Sequence, residues 1–469
     1  VDRDVTEISI LEALSSGGDE RISIDPATGT NRYHLNPLAF EGLLQRGSCT
    51  AGTLNERSFG VAKAFLAKYE TLNYESQVES QASRLRALVQ SEANQPVDVF
   101  FAPSGTDLSY YPLMFRMMLQ PGVPIIHLMS CPEELGSGSS SAGAGRYYSK
   151  VNQFGDRLSP GELVCPGAEP TVITVGARGA SGEILQRRPA INRIVAEHPG
   201  ASMVGSLVFG SKSGITDDLG VINDNPADIM WVVDLCQFRV DPVLIHGLLD
   251  QGAMVMLTGS KFFEAPPFAA ALLVPRIWTE QLRAASTHAV AGFSNLFSAY
   301  DVPWALENLR RVLPRRPNLG LRLRWEIALD EMEAYAYWPT VATNEMIVEW
   351  NTRVTARLTS SDTFRLMPDQ ARTNPSIISF QVRSDDRELG HDDLIKLHQA
   401  VVAAEHEGLS GDLSRVFIGQ PVRYGDRSFI RIALGAPSVR ALLEKGAGDL
   451  PDDMRLVEII EEHVEGLFS

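Results

Sequence analysis

The chain has 469 residues, 44% of them hydrophobic and 21% charged, the composition of an ordinary soluble protein with room for two domains. Its net charge of −16 argues against general nucleic-acid binding, which needs clustered Lys and Arg against phosphates. No apolar window of about 18 residues suggests a membrane span, and the charged start Val1-Asp-Arg-Asp-Val-Thr-Glu7 lacks a signal-peptide core, so the cytoplasm is the expected compartment.

In chain order, residues 1–54 read as an N-terminal arm, a short helical start and then the turn-rich Ser23–Thr30 and Tyr33–Pro37. Gly60–Gln90 carries the apolar face of one or two helices (Val61, Phe65, Leu66, Tyr69). The strand Val97–Phe101 runs into Ala102-Pro-Ser-Gly-Thr-Asp-Leu108 and a helix to about Leu119. Strand, tight turn and helix together aim N–H groups and hydroxyls at an anion, which makes Ser104, Gly105 and Thr106 a phosphate-site candidate. A plain helix cap by Ser104 is the alternative.

A second strand, Val123–Met129, leads into the Gly/Ser-rich Pro132–Gly145, read as an active-site loop over a flexible linker. The alternation continues through Thr171–Val175, a helix at Pro189–Glu197, and Ser202–Phe209. Two further apolar runs follow, Asp228–Val233 ending at Asp234, and Ala253–Leu257 ending at Thr258-Gly-Ser-Lys261. Such alternation implies a mostly parallel sheet covered on both faces, with ligands at the carboxyl ends of its strands. Ser104, Glu134, Gly210, Asp234 and Lys261 all fall at or just past such ends. After the strand Ala269–Val274, a long helical region at Leu319–Leu358 leads to a smaller α+β unit holding Ile377–Val382, a helix at Asp392–Glu405, and Phe429–Leu434. The expected division is 1–54, 55–315 and 316–469.

Four cysteines (Cys49, Cys131, Cys165, Cys236) form no CxxC pair, and nine histidines show no ligand spacing, so neither a disulfide framework nor a metal site is expected. The chain has 35 Arg but only 7 Lys. Lys63, Lys68, Lys150, Lys396 and Lys445 have ordinary solvated explanations, which leaves Lys212 and Lys261. Only Lys261 follows a strand-borne acid, Asp234, and a polar Gln237 in the preceding unit. An acid and a lysine at neighbouring strand ends suit an aldehyde cofactor with a basic ring nitrogen.

Asp234-Leu-Cys-Gln237 followed by Thr258-Gly-Ser-Lys261 resembles the fold-type I pyridoxal-phosphate (PLP) enzymes, nearest the class V aminotransferase and cysteine desulfurase branch. Phe101–Asp107 resembles that branch's phosphate loop, and Phe209-Gly-Ser-Lys-Ser-Gly-Ile215 its turn beside the cofactor hydroxyl, which brings in Ser211. The resemblance spans roughly residues 55–310 and implies a large domain with a mostly parallel sheet plus a smaller C-terminal domain. It further implies pyridoxal 5'-phosphate in a Schiff base with Lys261, Asp234 on the ring nitrogen, Gln237 on the ring hydroxyl, and Ser104, Gly105, Thr106, Thr258 and Ser260 around the phosphate. Glu134 belongs to the segment His127–Glu134 expected to cover the ring. Arg431, with Arg423 as rival, would hold the substrate carboxylate.

Ser260 stands where that branch usually has histidine, and no cysteine follows Cys236, which disfavours persulfide chemistry. The implied activity is a transformation of an amino acid through an external aldimine and a quinonoid, with amino-group transfer as the leading reaction. The alternative is β/γ-elimination, replacement or carbon–carbon bond formation in specialised metabolism. A non-catalytic binding protein on the same fold is the third reading. A homodimer is also implied, with the Gly292–Ser298 loop near the partner's site.

Overall fold

The computed structural model describes residues 5–47, 52–69, 73–89, 96–179, 182–367, 375–385, 387–425, 427–446, 448 and 450–468. Cys49, Gln90 and the first four residues lie outside them. The strands run, in chain order, β1 (Leu43–Arg46), β2 (Val97–Ala102), β3 (Ile125–Ser130), β4 (Thr171–Val175), β5 (Ser202–Val208), β6 (Met230–Asp234), β7 (Met254–Thr258), β8 (Ala270–Pro275), β9 (Phe364–Leu366), β10 (Ile377–Ser384), β11 (Arg387–Glu388), β12 (Arg415–Tyr424) and β13 (Arg427–Ala433).

The larger sheet has the order β2-β8-β7-β6-β5-β3-β4, and β8 alone runs antiparallel to its neighbours. Its central strands are apolar on both faces because helices cover both. The period-2 geometry of a strand splits them between two cores. Phe101, Trp231, Val233, Val255 and Leu257 face one core, and Phe100, Met230, Val232, Met254 and Met256 face the other. All the parallel strands end at one edge of the sheet, which is where the site lies.

The helical region expected as one run over Leu319–Leu358 is two helices, Leu319–Ala336 and Thr340–Thr359. Pro339 lies at the break and cannot continue the preceding ladder. The first helix buries Arg324 completely. Its guanidinium donates to the carbonyls of Phe268 (2.8 Å), Ser16 (2.8 Å) and Gly17 (2.9 Å), fastening the N-terminal segment beside the site.

The smaller sheet has the order β1-β12-β13-β10-β11, with β9 also on β10. Its edge strand β1 comes from the segment read as an arm and pairs parallel with β12, Leu43 opposite Arg415. The β12–β13 register shifts between Gly419 and Val422, a bulge that pushes Gln420 and Pro421 out of the ladder toward the larger sheet. Cys131, Cys165 and Cys236 are buried free thiols. No helix among the described residues is long and apolar enough to cross a membrane.

Candidate active site

A cavity of about 530 Å³ opens at the carboxyl edge of the larger sheet. Strand register makes its floor. Ala102 of β2 and Thr258 of β7 both pair with Ala270 of β8, so the turns that follow them, Pro103–Thr106 and Gly259–Lys261, emerge close together. Asp234 ends the next strand, opposite Met256. One of its oxygens accepts the Cys236 N–H (2.7 Å) while the residue stays in the cavity lining. Lys261 lines the same floor, and its side-chain amine has no hydrogen bond or ion pair among the described residues.

Two glycines are required by this geometry. A Cβ on Gly105 would lie 2.8 Å from Cys236 Sγ, so only glycine lets the turn after β2 rest on the segment that carries Asp234 and Gln237. Gly210, at φ +69°, turns the chain after β5 toward Ser211.

Ser104 does cap the short helix Gly105–Leu108, forming a reciprocal capping box with Asp107. Its hydroxyl donates to Asp107 Oδ2 (2.7 Å), and Tyr148 donates to Asp107 Oδ1 (2.8 Å). Burial, only partly offset by these donors, pushes Asp107 up to about 6. Cap and cavity wall are therefore the same turn. Thr258 spends its hydroxyl proton on the Cys236 carbonyl (2.7 Å), leaving the oxygen's lone pairs.

One side wall is Glu134, Leu135, Gly136, Ser137 and Ser139 of the Gly/Ser-rich segment, which is an ordered cavity wall here. The Glu134 carboxylate accepts from Ser211 (2.7 Å), Ser213 (2.9 Å) and Tyr424 of β12 (2.7 Å), and Arg178 stands 3.6 Å away. Glu134 thus joins the two sheets across the cavity. Arg178 also lies over the Tyr424 ring, 5.0 Å from its centroid.

The remaining walls come from distant segments. Arg21 pairs with Asp19 (2.6 Å) and lies over Phe268, 4.9 Å from the ring centroid. Tyr33 joins it from the same segment. From the smaller sheet come Gln420–Arg423, Arg431 and, beside them, His391. Arg431 is 3% exposed and donates to the Gln420 carbonyl (3.1 Å), which braces the bulge. Arg423 is exposed at the rim and donates to the Gly425 carbonyl (3.0 Å).

All twelve residues singled out from the sequence line this one cavity: Ser104, Gly105, Thr106, Glu134, Ser211, Asp234, Gln237, Thr258, Ser260, Lys261, Arg423 and Arg431. Within the expected ring-covering segment, His127 is excluded. Its nitrogens are bound to the Gly143 carbonyl and Ser206 Oγ (both 2.7 Å) inside the protein, and burial lowers its pKa to about 4. The Gly292–Ser298 loop does not reach this cavity in its own chain, because Phe293 and Phe297 anchor it in the core. Sequence reasoning missed Arg21, Tyr33, Phe268 and His391, and it set Lys212 aside although Lys212 also lines the cavity.

No family model matches the chain, and no curated protein matches it in sequence. Solved structures do match in shape. Phosphoserine aminotransferase SerC from Cytophaga hutchinsonii aligns at TM-score 0.52 and 14% identity over 87% of this chain and 99% of that one. Cysteine desulfurase CsdA from Escherichia coli aligns at TM-score 0.54 and 13% identity over 89% and 94%. SPT with a PLP internal aldimine aligns at TM-score 0.51 and 10% identity over 91% and 94%. The fold is that of the fold-type I PLP enzymes. Different reactions are named on these fold-type I relatives, so architecture leaves the chemistry to the side chains.

Proposed function

We propose that this chain is an enzyme that binds pyridoxal 5'-phosphate at Lys261 and transforms an amino-acid substrate. The carrying observation is the floor: a lysine whose amine has no partner among the described residues, a strand-end carboxylate and a turn that only Gly105 lets pack so closely all face one cavity. The donor set fits the cofactor. Ser104–Thr106, Thr258 and Ser260 would hold the phosphate, Gln237 the ring hydroxyl and Asp234 the ring nitrogen. When bound, pyridoxal phosphate supplies an electron sink for negative charge at the substrate α-carbon.

The chain's own residues do the rest. Asp234, with one oxygen fixed by the Cys236 N–H, keeps a proton at the ring nitrogen. The Lys261 amine would hold the cofactor aldehyde and is placed to move a proton at the substrate α-carbon. Arg431 offers a rigid, buried guanidinium to the α-carboxylate, which ranks it above the rim residue Arg423. Cys236 is excluded as a nucleophile because burial raises its thiol well above the ordinary range.

Amino-group transfer is the leading reaction. Leu135 and Gly136 in the expected ring-covering segment, and Ser260 where the resembling branch usually has histidine, support keeping elimination, replacement or carbon–carbon bond formation as the second reading. The reading extends to a homodimer. Asn295 is exposed on the otherwise anchored Gly292–Ser298 loop and would face the partner's site. Adding pyridoxal phosphate to the purified protein should produce absorbance near ~420 nm that Lys261→Ala abolishes. A colourless wild type overturns the proposal.

A further inference from the structure

We infer that Arg239 is a positioning residue for the proposed reaction: it fixes the Gln237 amide with its nitrogen turned toward the cofactor. This deepens the proposed PLP reading and rests on it. Arg239 does not line the site cavity. It stands behind the floor, in the wall of a second hollow of about 730 Å³ that it shares with Phe238, Phe262 and Phe263.

The turn after Gln237 is shaped to throw Arg239 there. Phe238 holds φ +51°, a left-handed conformation that a bulky side chain adopts only where its surroundings enforce it. Its ring packs edge-on against Phe263, two residues past Lys261, with centroids 5.1 Å apart. The next residue, Arg239, lies over the Phe262 ring, 5.1 Å from its centroid. The Gln237 and Lys261 turns are therefore interlocked.

The guanidinium is also held from the smaller sheet. One terminal nitrogen donates to Ser376 Oγ (2.9 Å) and to the Leu434 carbonyl (2.6 Å). Ser376 precedes β10 and Leu434 follows β13, and the Leu434 N–H closes on the Ser376 carbonyl (2.8 Å). So anchored, Arg239 presents Nε to Gln237 Oε1 (3.4 Å). A guanidinium can only donate, so it selects the amide oxygen. The Gln237 nitrogen, with no hydrogen bond among the described residues, is left for the cavity that Gln237 lines. A donor fixed there favours the ionised ring oxygen, whereas an amide able to flip would also offer its own oxygen and favour the protonated form.

The experiment follows the ~420 nm band of the pyridoxal-phosphate-loaded protein against pH, with cofactor affinity measured alongside. It compares wild type, Arg239→Lys, Gln237→Ala and the double variant. Lysine keeps a cation over Phe262 and a donor for Leu434, which preserves the fold, but lacks the fork that serves Gln237 as well. Arg239→Lys should raise the pH midpoint of the band by roughly 0.5–1 and weaken cofactor binding several-fold. In the Gln237→Ala background the same substitution should change neither, because Arg239 acts through that amide. Equal shifts in both backgrounds, or no shift in either, overturn the inference and leave the cofactor reading standing. Absence of the band in wild type overturns both.

Discussion

The floor and the roof of the cavity are built differently. The floor is strand ends and tight turns of one close-packed sheet, where register alone sets Lys261, Asp234 and Ser104 near one another. The roof is assembled from three remote stretches, Arg21 and Tyr33, His391, and the Gln420–Arg431 hairpin. A reaction centre needs sub-ångström placement, and a sheet supplies it. A roof of loops and a bulged hairpin can vary its charge without disturbing the floor, so in the proposed enzyme the floor would set the chemistry and the roof the molecule that receives it.

The sharpest way to test that division is Lys261→Ala. It should lower the rate on any accepted amino acid by about 10³-fold or more with little change in thermal stability, since the side chain has no structural partner. Asp234→Asn should follow, costing roughly 10²-fold in kcat while the cofactor still binds, read from the persistence of its absorbance.

A roof substitution should act on binding instead. Tyr424→Phe removes one of the three hydroxyl donors to Glu134 and loosens the link between the sheets. KM should rise several-fold with kcat changed less, alongside a stability loss of about 1–3 kcal/mol in denaturant unfolding. If kcat fell as far as in the Asp234 variant, floor and roof would not be separable.

The smallest effect concerns Glu264, in the turn just after Lys261. Burial pushes it up to about 8, against the partial relief of Arg46, and its Oε1 is buried without a hydrogen-bond partner among the described residues. A carboxyl raised in the folded state binds more protons folded than unfolded between its two pKa values. It therefore costs stability progressively as pH rises from the ordinary carboxylate range to about 8. Glu264→Gln should flatten that decline by at least ~1 kcal/mol, checked by melting curves at pH 5 and pH 8.

Most of the floor was legible in the sequence because each of its parts is local. An apolar run announces a strand, the next few residues announce the turn, and ligands gather at such ends. The roof was illegible for physical reasons. Arg21 reaches the cavity because Arg324, some three hundred positions later, fastens Ser16 and Gly17, and no local pattern signals that contact. The choice between Arg423 and Arg431 depends on a one-sided bulge that sequence alternation does not reveal. Glu134 lines the cavity, but the hydrogen bonds that hold it come from Ser211, Ser213 and Tyr424 in two other segments, which no local pattern signals. The break at Pro339 was readable and was passed over in favour of the longer helical periodicity.

The edge strand β1 carries a further consequence. Arg46 at its end holds Asp453 by two hydrogen bonds (2.7 and 2.8 Å) in a buried pair, and the same stretch of chain leads back to Tyr33 and Arg21 over the cavity. Residues 21–46 are thus a tether strung from the far edge of the smaller sheet to the mouth of the cavity. If the smaller sheet rocks when substrate enters, the tether is pulled with it, and the entrance narrows without a hinge of its own. Trimming those residues would remove that linkage, strip the pairing partner from β12 and leave a bare strand edge open to other chains.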